Sequence, residues 1–174
     1  MGAWGALIMS FFGAVFAALT MFWQWHVSSA ALAVPFAAFA VIGLMAAHVI
    51  RLPGTGIRPS EKAARTIMWS SIAEGVGLFF ASNIVLNLHR PELLLPAMEL
   101  VVGLHFLPIA LAAPFRPFYI LGAALILSAL AGFLMRAPTG GEVAGLMAAT
   151  CLWIAATVAV RRDWRAKQSA FVVA

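Results

Sequence analysis

Three ionisable side chains interrupt long apolar stretches of this chain: Glu74, Glu99 and His105. A carboxyl group and an imidazole in contact can pass a proton between them, and the imidazole titrates closest to neutral pH. Ser82, Asn83 and Asn87 add neutral hydrogen-bonding groups nearby in sequence. A charged carboxylate is costly in an apolar medium, so Glu74 has to be neutral, paired or beside a hydrated cavity. Two roles stay open for Glu74 and His105, a proton or substrate path and plain interhelical hydrogen bonding. For Ser82, Asn83 and Asn87 the second role is expected, with such bonds contributing about 1 kcal/mol each.

Other chemistries lack their residues. The histidines are His26, His48, His89 and His105, and none has another three or four positions away as a helical metal site often requires. His48 and His105 fall at different depths, which argues against a haem between them. No metal and no cofactor is expected. The single cysteine, Cys151, behaves as a small apolar residue. The only aspartate, Asp163, stands outside the apolar runs, which excludes an aspartyl intramembrane protease. There is no glycine-rich phosphate loop and no nucleophile elbow, so an enzyme is not the expectation.

The elements that must position these residues follow from composition. Of 174 residues, 64% are hydrophobic and 10% charged. A soluble domain is nearer half apolar and a quarter charged. Disorder requires the opposite balance, and one cysteine cannot make a disulfide framework. The excess of 11 Lys and Arg over 6 Asp and Glu sits at the ends of apolar runs, where membrane orientation needs it. No basic face with interleaved aromatics exists elsewhere, so nucleic acid is not a partner.

A spanning helix takes about 20 apolar residues. Six such runs are present, at about 5–23, 29–50, 63–88, 92–113, 118–135 and 142–160, with a basic tail at 161–174. The runs are continuous rather than alternating, which favours helices over a barrel. The expected fold is all-α, a single domain over 1–174 forming a bundle of six transmembrane helices. Ser60 and Glu61 form a helix start, and Pro91 closes the third span. The first run has no basic residue before it and is long enough to cross, so it reads as a span rather than a signal peptide. Arg51-Leu-Pro and Arg136-Ala-Pro end the second and fifth spans. They hint at two inverted halves of three helices, although such turns are also ordinary helix-end chemistry.

Nine of the Lys and Arg residues fall on one side of this topology and two on the other. That split places both termini in the cytoplasm. Arg51, Arg58, Lys62, Arg161, Arg162 and Arg165 are the candidates for headgroup contact. Trp23, Trp25 and Trp164 fall at interfacial depths, where amphipathic rings are favoured.

The tight turn near Arg90 makes the third and fourth spans antiparallel neighbours. Residues equally distant from it share a depth. His105 and Glu74 are 15 and 16 positions away, near the midplane. Glu99 falls level with Ser82 and Asn83, nearer the outside. Glu99 and His105 point about 120° apart on their helix, so at least one of these levels needs a further helix as partner. Gly75 and Gly77 are expected to permit close helix approach, and Pro96 and Pro108 to bend the fourth span.

Val102-Gly-Leu-His105-Phe-Leu-Pro108, followed by Phe115-Arg-Pro-Phe-Tyr119, resembles a group of small bacterial polytopic membrane proteins defined only as a domain of unknown function. The likeness covers roughly residues 74–125 and extends to a Glu and an Asn in the preceding helix, here Glu74 and Asn83. Glu99 departs from it, because an apolar residue is expected there. The resemblance implies a multi-pass protein of the bacterial inner membrane and supplies no activity. Three readings follow. The first in rank is a non-catalytic membrane subunit or scaffold, partnered by the lipid bilayer and by a second copy or another membrane protein. Close behind is a small transporter or permease using Glu74 and His105 as a protonatable pair. Third is a lipid-binding or lipid-modifying protein with Arg51, Arg58 and Lys62 facing headgroups.

Overall fold

The computed structural model describes residues 2–54, 59–113 and 116–172, with side chains through 169. Arg58 and Phe115 lie outside the described residues. Six helices run in order: α1 (Ala3–Trp23), α2 (Pro35–Arg51), α3 (Glu61–Asn87), α4 (Leu94–Ala112), α5 (Arg116–Leu134) and α6 (Thr139–Val172). Short 3-10 turns at Ala30–Ala33 and Pro91–Leu93 lead into α2 and α4. All six are long and apolar enough to cross a membrane. The chain is therefore an all-α, multi-pass membrane protein. The start of α1 and the last turns of α6 meet at one end of the bundle, here the terminal end.

Lipid offers no hydrophobic drive for helix pairing, so close packing of small residues has to supply the contact. The α1–α6 pair is built that way. Ala3, Ala6, Ala14 and Ala17 of α1 and Ala144, Ala148, Ala149, Ala156 and Ala159 of α6 are all buried. At Gly13, an added methyl group would stand 2.7 Å from the Trp153 ring nitrogen. That indole donates instead to the Ser10 carbonyl at 3.1 Å. Consecutive helices α4, α5 and α6 pack as neighbours around Phe106, Phe118, Leu125 and Leu152. Gly103 and Gly122 let α4 and α5 touch at backbone level, because a Cβ on Gly122 would be 3.1 Å from the Gly103 carbonyl.

The remaining two helices are peripheral. α2 leans on α1 and α6, and α3 leans on α4. Most of their surface faces outward. The first three helices therefore do not pack on one another as the last three do, and the two halves are not alike in arrangement.

Local signals explain the helix ends. Ser60 Oγ accepts from the Ala63 amide at 3.2 Å, capping α3, and Glu61 complements the first-turn dipole. Pro96 sits in the first turn of α4, where a missing N–H costs nothing, and only Pro108 is interior. The expected tail beyond 160 is instead the last turns of α6. Two of its side chains point inward. Asp163 accepts from the Ala3 amide at 3.1 Å, at the start of α1. Lys167 Nζ donates to the carbonyls of Val49, Ile50 and Leu52 at 2.8, 3.0 and 2.9 Å, at the end of α2. Each charge meets the helix end whose dipole it opposes.

Candidate functional site

Glu74 and His105 come together where α3 crosses α4. Glu74 Oε2 lies 3.5 Å from His105 Nδ1, and both side chains are largely buried. Ser70, one turn before Glu74, completes the cluster. Its hydroxyl donates to the His105 carbonyl at 2.9 Å and stands 3.1 Å from Nδ1. With the serine proton directed at the carbonyl, its lone pairs face the ring. A protonated Nδ1 then donates to Ser70 while lying against Glu74. Gly77, one turn beyond Glu74 on the same seam, permits this crossing, because a Cβ there would stand 2.9 Å from Val101 Cγ1. Gly75 has nothing within 4 Å of such an atom, so of the two glycines Gly77 alone serves close approach.

The pair occupies the junction of two hollows. One is a groove of about 890 Å³ between α3 and α4, running from Glu61, Lys62 and Arg65 at the terminal end past Trp69 and Ser70 to Glu74 and His105. It closes at Gly77 and Val101. Its volume is within the range of small-molecule sites. The other is a crevice of about 90 Å³ where α3 stands off from α1, bordered by Gly5, Met9, Ile67, Ser71 and Phe106. Glu74 and His105 border both. They are thus the partition between a wide approach from one end of the bundle and a narrow space facing its core.

Pro108 adds a further polar element. It has no N–H to give the Leu104 carbonyl one turn earlier, and Leu104 and Pro108 both line the groove. In lipid such a freed carbonyl needs a partner from elsewhere.

Glu99 does not join Ser82 or Asn83. It turns away from α3 into the α4–α5–α6 core, where it is 0% exposed. The Ser128 hydroxyl of α5 and the Cys151 thiol of α6 lie alongside. Neither Glu99 oxygen nor the Ser128 hydroxyl makes a hydrogen bond of ordinary geometry, although that hydroxyl faces the carboxyl. Equal depth set the expected pairing, and helix rotation decided against it. Asn83 and Asn87 are exposed and donate to the carbonyls of Phe79 and Asn83, each four residues earlier on their own helix. Ser82 is half-buried. Replacing Glu99 with methionine is expected to raise stability by about 1–2 kcal/mol, since a fully buried acid with only the Ser128 hydroxyl facing it gives way to an apolar side chain of similar length. Chemical denaturation in detergent measures this, and a loss of stability would mean that the carboxyl has a partner.

The headgroup candidates divide by position. Arg51 and Lys62 are exposed at the terminal end. Arg161 and Arg165 are exposed and, with half-buried Arg162 and Val158, border a shallow hollow of about 360 Å³. Among the described residues, no three His, Cys, Asp or Glu side chains converge as metal ligands would. Sequence reading missed Ser70 and Thr66. The signal was present, because Lys62, Thr66, Ser70 and Glu74 recur every four residues and so share one stripe of α3. No family model, curated protein or solved structure matches the chain.

Proposed function

We propose that this chain is a small transporter of the bacterial inner membrane, with both termini cytoplasmic, that moves its substrate together with a proton through Glu74 and His105. The supporting observation is the position of the pair between the wide groove and the narrow crevice. An acid and an imidazole there can hold zero, one or two protons, which changes the charge that a substrate meets on arrival. Ser70 fixes the ring so that Nδ1, rather than Nε2, faces the carboxyl. The terminal end then faces the cytoplasm, in keeping with its lysines and arginines.

The test uses vesicles of mixed zwitterionic and anionic lipid that enclose a pH-sensitive dye, with an imposed acid-outside gradient. Wild-type protein is expected to speed internal acidification several-fold over empty vesicles. Glu74→Gln, which keeps size and hydrogen bonding, is expected to return the rate to that of empty vesicles. Equal rates for the two proteins would overturn the reading.

The membrane-subunit reading keeps one observation of its own. α3 rests on α4 and presents Met68, Ile72, Val76, Phe79, Phe80 and Ile84 outward. A stable homo-oligomer or a co-purifying membrane protein that covers this face would favour it.

A further inference from the structure

The groove restricts what can occupy it. Its α3 wall carries the stripe Lys62, Thr66, Ser70 and Glu74, with Arg65 beside the mouth. From Lys62 to Gly77 this wall is about 22 Å long at the rise of an α-helix. The opposite wall is Val101, Leu104, His105 and Pro108 of α4. Trp69, Ala73, Leu104 and Pro108 are exposed, so the groove opens sideways as well as at the terminal end. In a bilayer that side opening faces acyl chains. A long slot with polar groups along its floor, open laterally to hydrocarbon, fits a molecule that has a polar head and an apolar body. A compact polar solute would leave most of its length unfilled.

Charge selects the head. The mouth holds Lys62 and Arg65 against Glu61, all exposed at the membrane–water boundary, for a local excess of one positive charge. Cations in that position attract the anionic headgroups of a membrane surface. Trp69, one turn inside, is at the depth where indole rings favour the interface. Deeper in, Thr66 and the Leu104 carbonyl freed by Pro108 offer hydrogen bonds in place of water. Beyond them stand Glu74 and His105, whose charge is set by protons.

We propose that the α3–α4 groove binds an anionic lipid, headgroup on Lys62 and Arg65 and chains directed out through the lateral opening, and that this lipid class is the substrate of the Glu74–His105 pair. The second clause rests on the transport reading above. The first stands without it.

The experiment incorporates the full-length protein into nanodiscs containing a trace of a photoactivatable phospholipid with its diazirine near the headgroup. One set carries a phosphatidylglycerol probe, the other a phosphatidylcholine probe. Crosslinked peptides are identified by mass spectrometry. The phosphatidylglycerol probe is expected to mark peptides containing residues 62–77 and 101–108 several-fold more than the phosphatidylcholine probe. The double variant Lys62→Gln, Arg65→Gln is expected to lose that preference. The variant Arg161→Gln, Arg165→Gln, on the far side of the terminal end, is expected to retain it. Equal marking by both probes, or marking confined to other helices, would overturn the lipid site. Loss of marking on adding excess inorganic phosphate would also overturn it, in favour of a soluble anion. Glu74→Gln that still crosslinks the anionic probe but conducts no protons upholds the site and the transport reading together. Normal proton flux in that variant with crosslinking intact removes the transport reading alone.

Discussion

Substituting Lys167 with methionine is expected to lower the thermal midpoint of the detergent-solubilised protein by roughly 6–12 °C, the shift that about 3 kcal/mol produces in a chain of this size. Lys167 is 7% exposed, and its ammonium group donates to three carbonyls at the end of α2. Of these, the Val49 carbonyl has otherwise only the Leu52 amide, at 3.3 Å, and for Ile50 and Leu52 the helix ladder has ended. Methionine keeps the apolar stem and removes all three donors. The effect falls on α2, whose other contacts are with α1 and α6 and which otherwise faces lipid. Limited proteolysis after Arg51 is expected to accelerate in parallel. An unchanged midpoint would mean that water or lipid serves those carbonyls equally well.

Substituting Gly145 with leucine is expected to abolish accumulation of monodisperse protein. A Cβ at this position of α6 would coincide with Thr20 Oγ1 of α1, and Leu95 Cδ1 of α4 stands 3.1 Å away on another side. Thr20 is fully buried and its hydroxyl donates to the Phe16 carbonyl at 2.8 Å, so it cannot rotate away without losing that bond. The only relief is to part α1 from α6, the pair around which the bundle is built. Overpacking of a single site typically costs about 1–3 kcal/mol, and here three helices meet the added atoms. The smaller change Gly145→Ala is expected to fold weakly and to recover when combined with Thr20→Ala. Gly75→Leu, facing open space, is expected to leave size-exclusion behaviour unchanged. A Gly145→Leu protein that elutes as wild type would remove the close α1–α6 crossing.

How far the sequence reached depended on what kind of signal each feature leaves. Length of apolar run is read directly, so each apolar run coincides with a helix, helped by Ser60 and Pro91, although α6 continues twelve residues past the end read for it. The depth of Glu74 and His105 followed from counting outward from one tight turn, and the two side chains meet. Direction is a different matter. In a soluble helix the apolar stripe reveals which side faces the core. In these helices every side is apolar, so nothing in the pattern said that Glu99 turns toward α5 and α6 rather than α3. The end of α6 failed for another reason. A run of arginines reads as an exposed flank, and Asp163 and Lys167 are buried only because the termini of α1 and α2 arrive beside them. Such long-range meetings leave no local trace.

Because the turns of α6 that carry Asp163 and Lys167 are made after the other five helices, the opening hairpin has a history during synthesis. α1 and α2 enter the bilayer more than 100 residues before the side chains that fasten their ends exist. At translation rates of about 5–20 residues per second, they wait several seconds or more without the Asp163 carboxylate and the Lys167 ammonium group. These turns of α6 thus act as a latch, and packing of the first helical pair is complete only when α6 has been delivered.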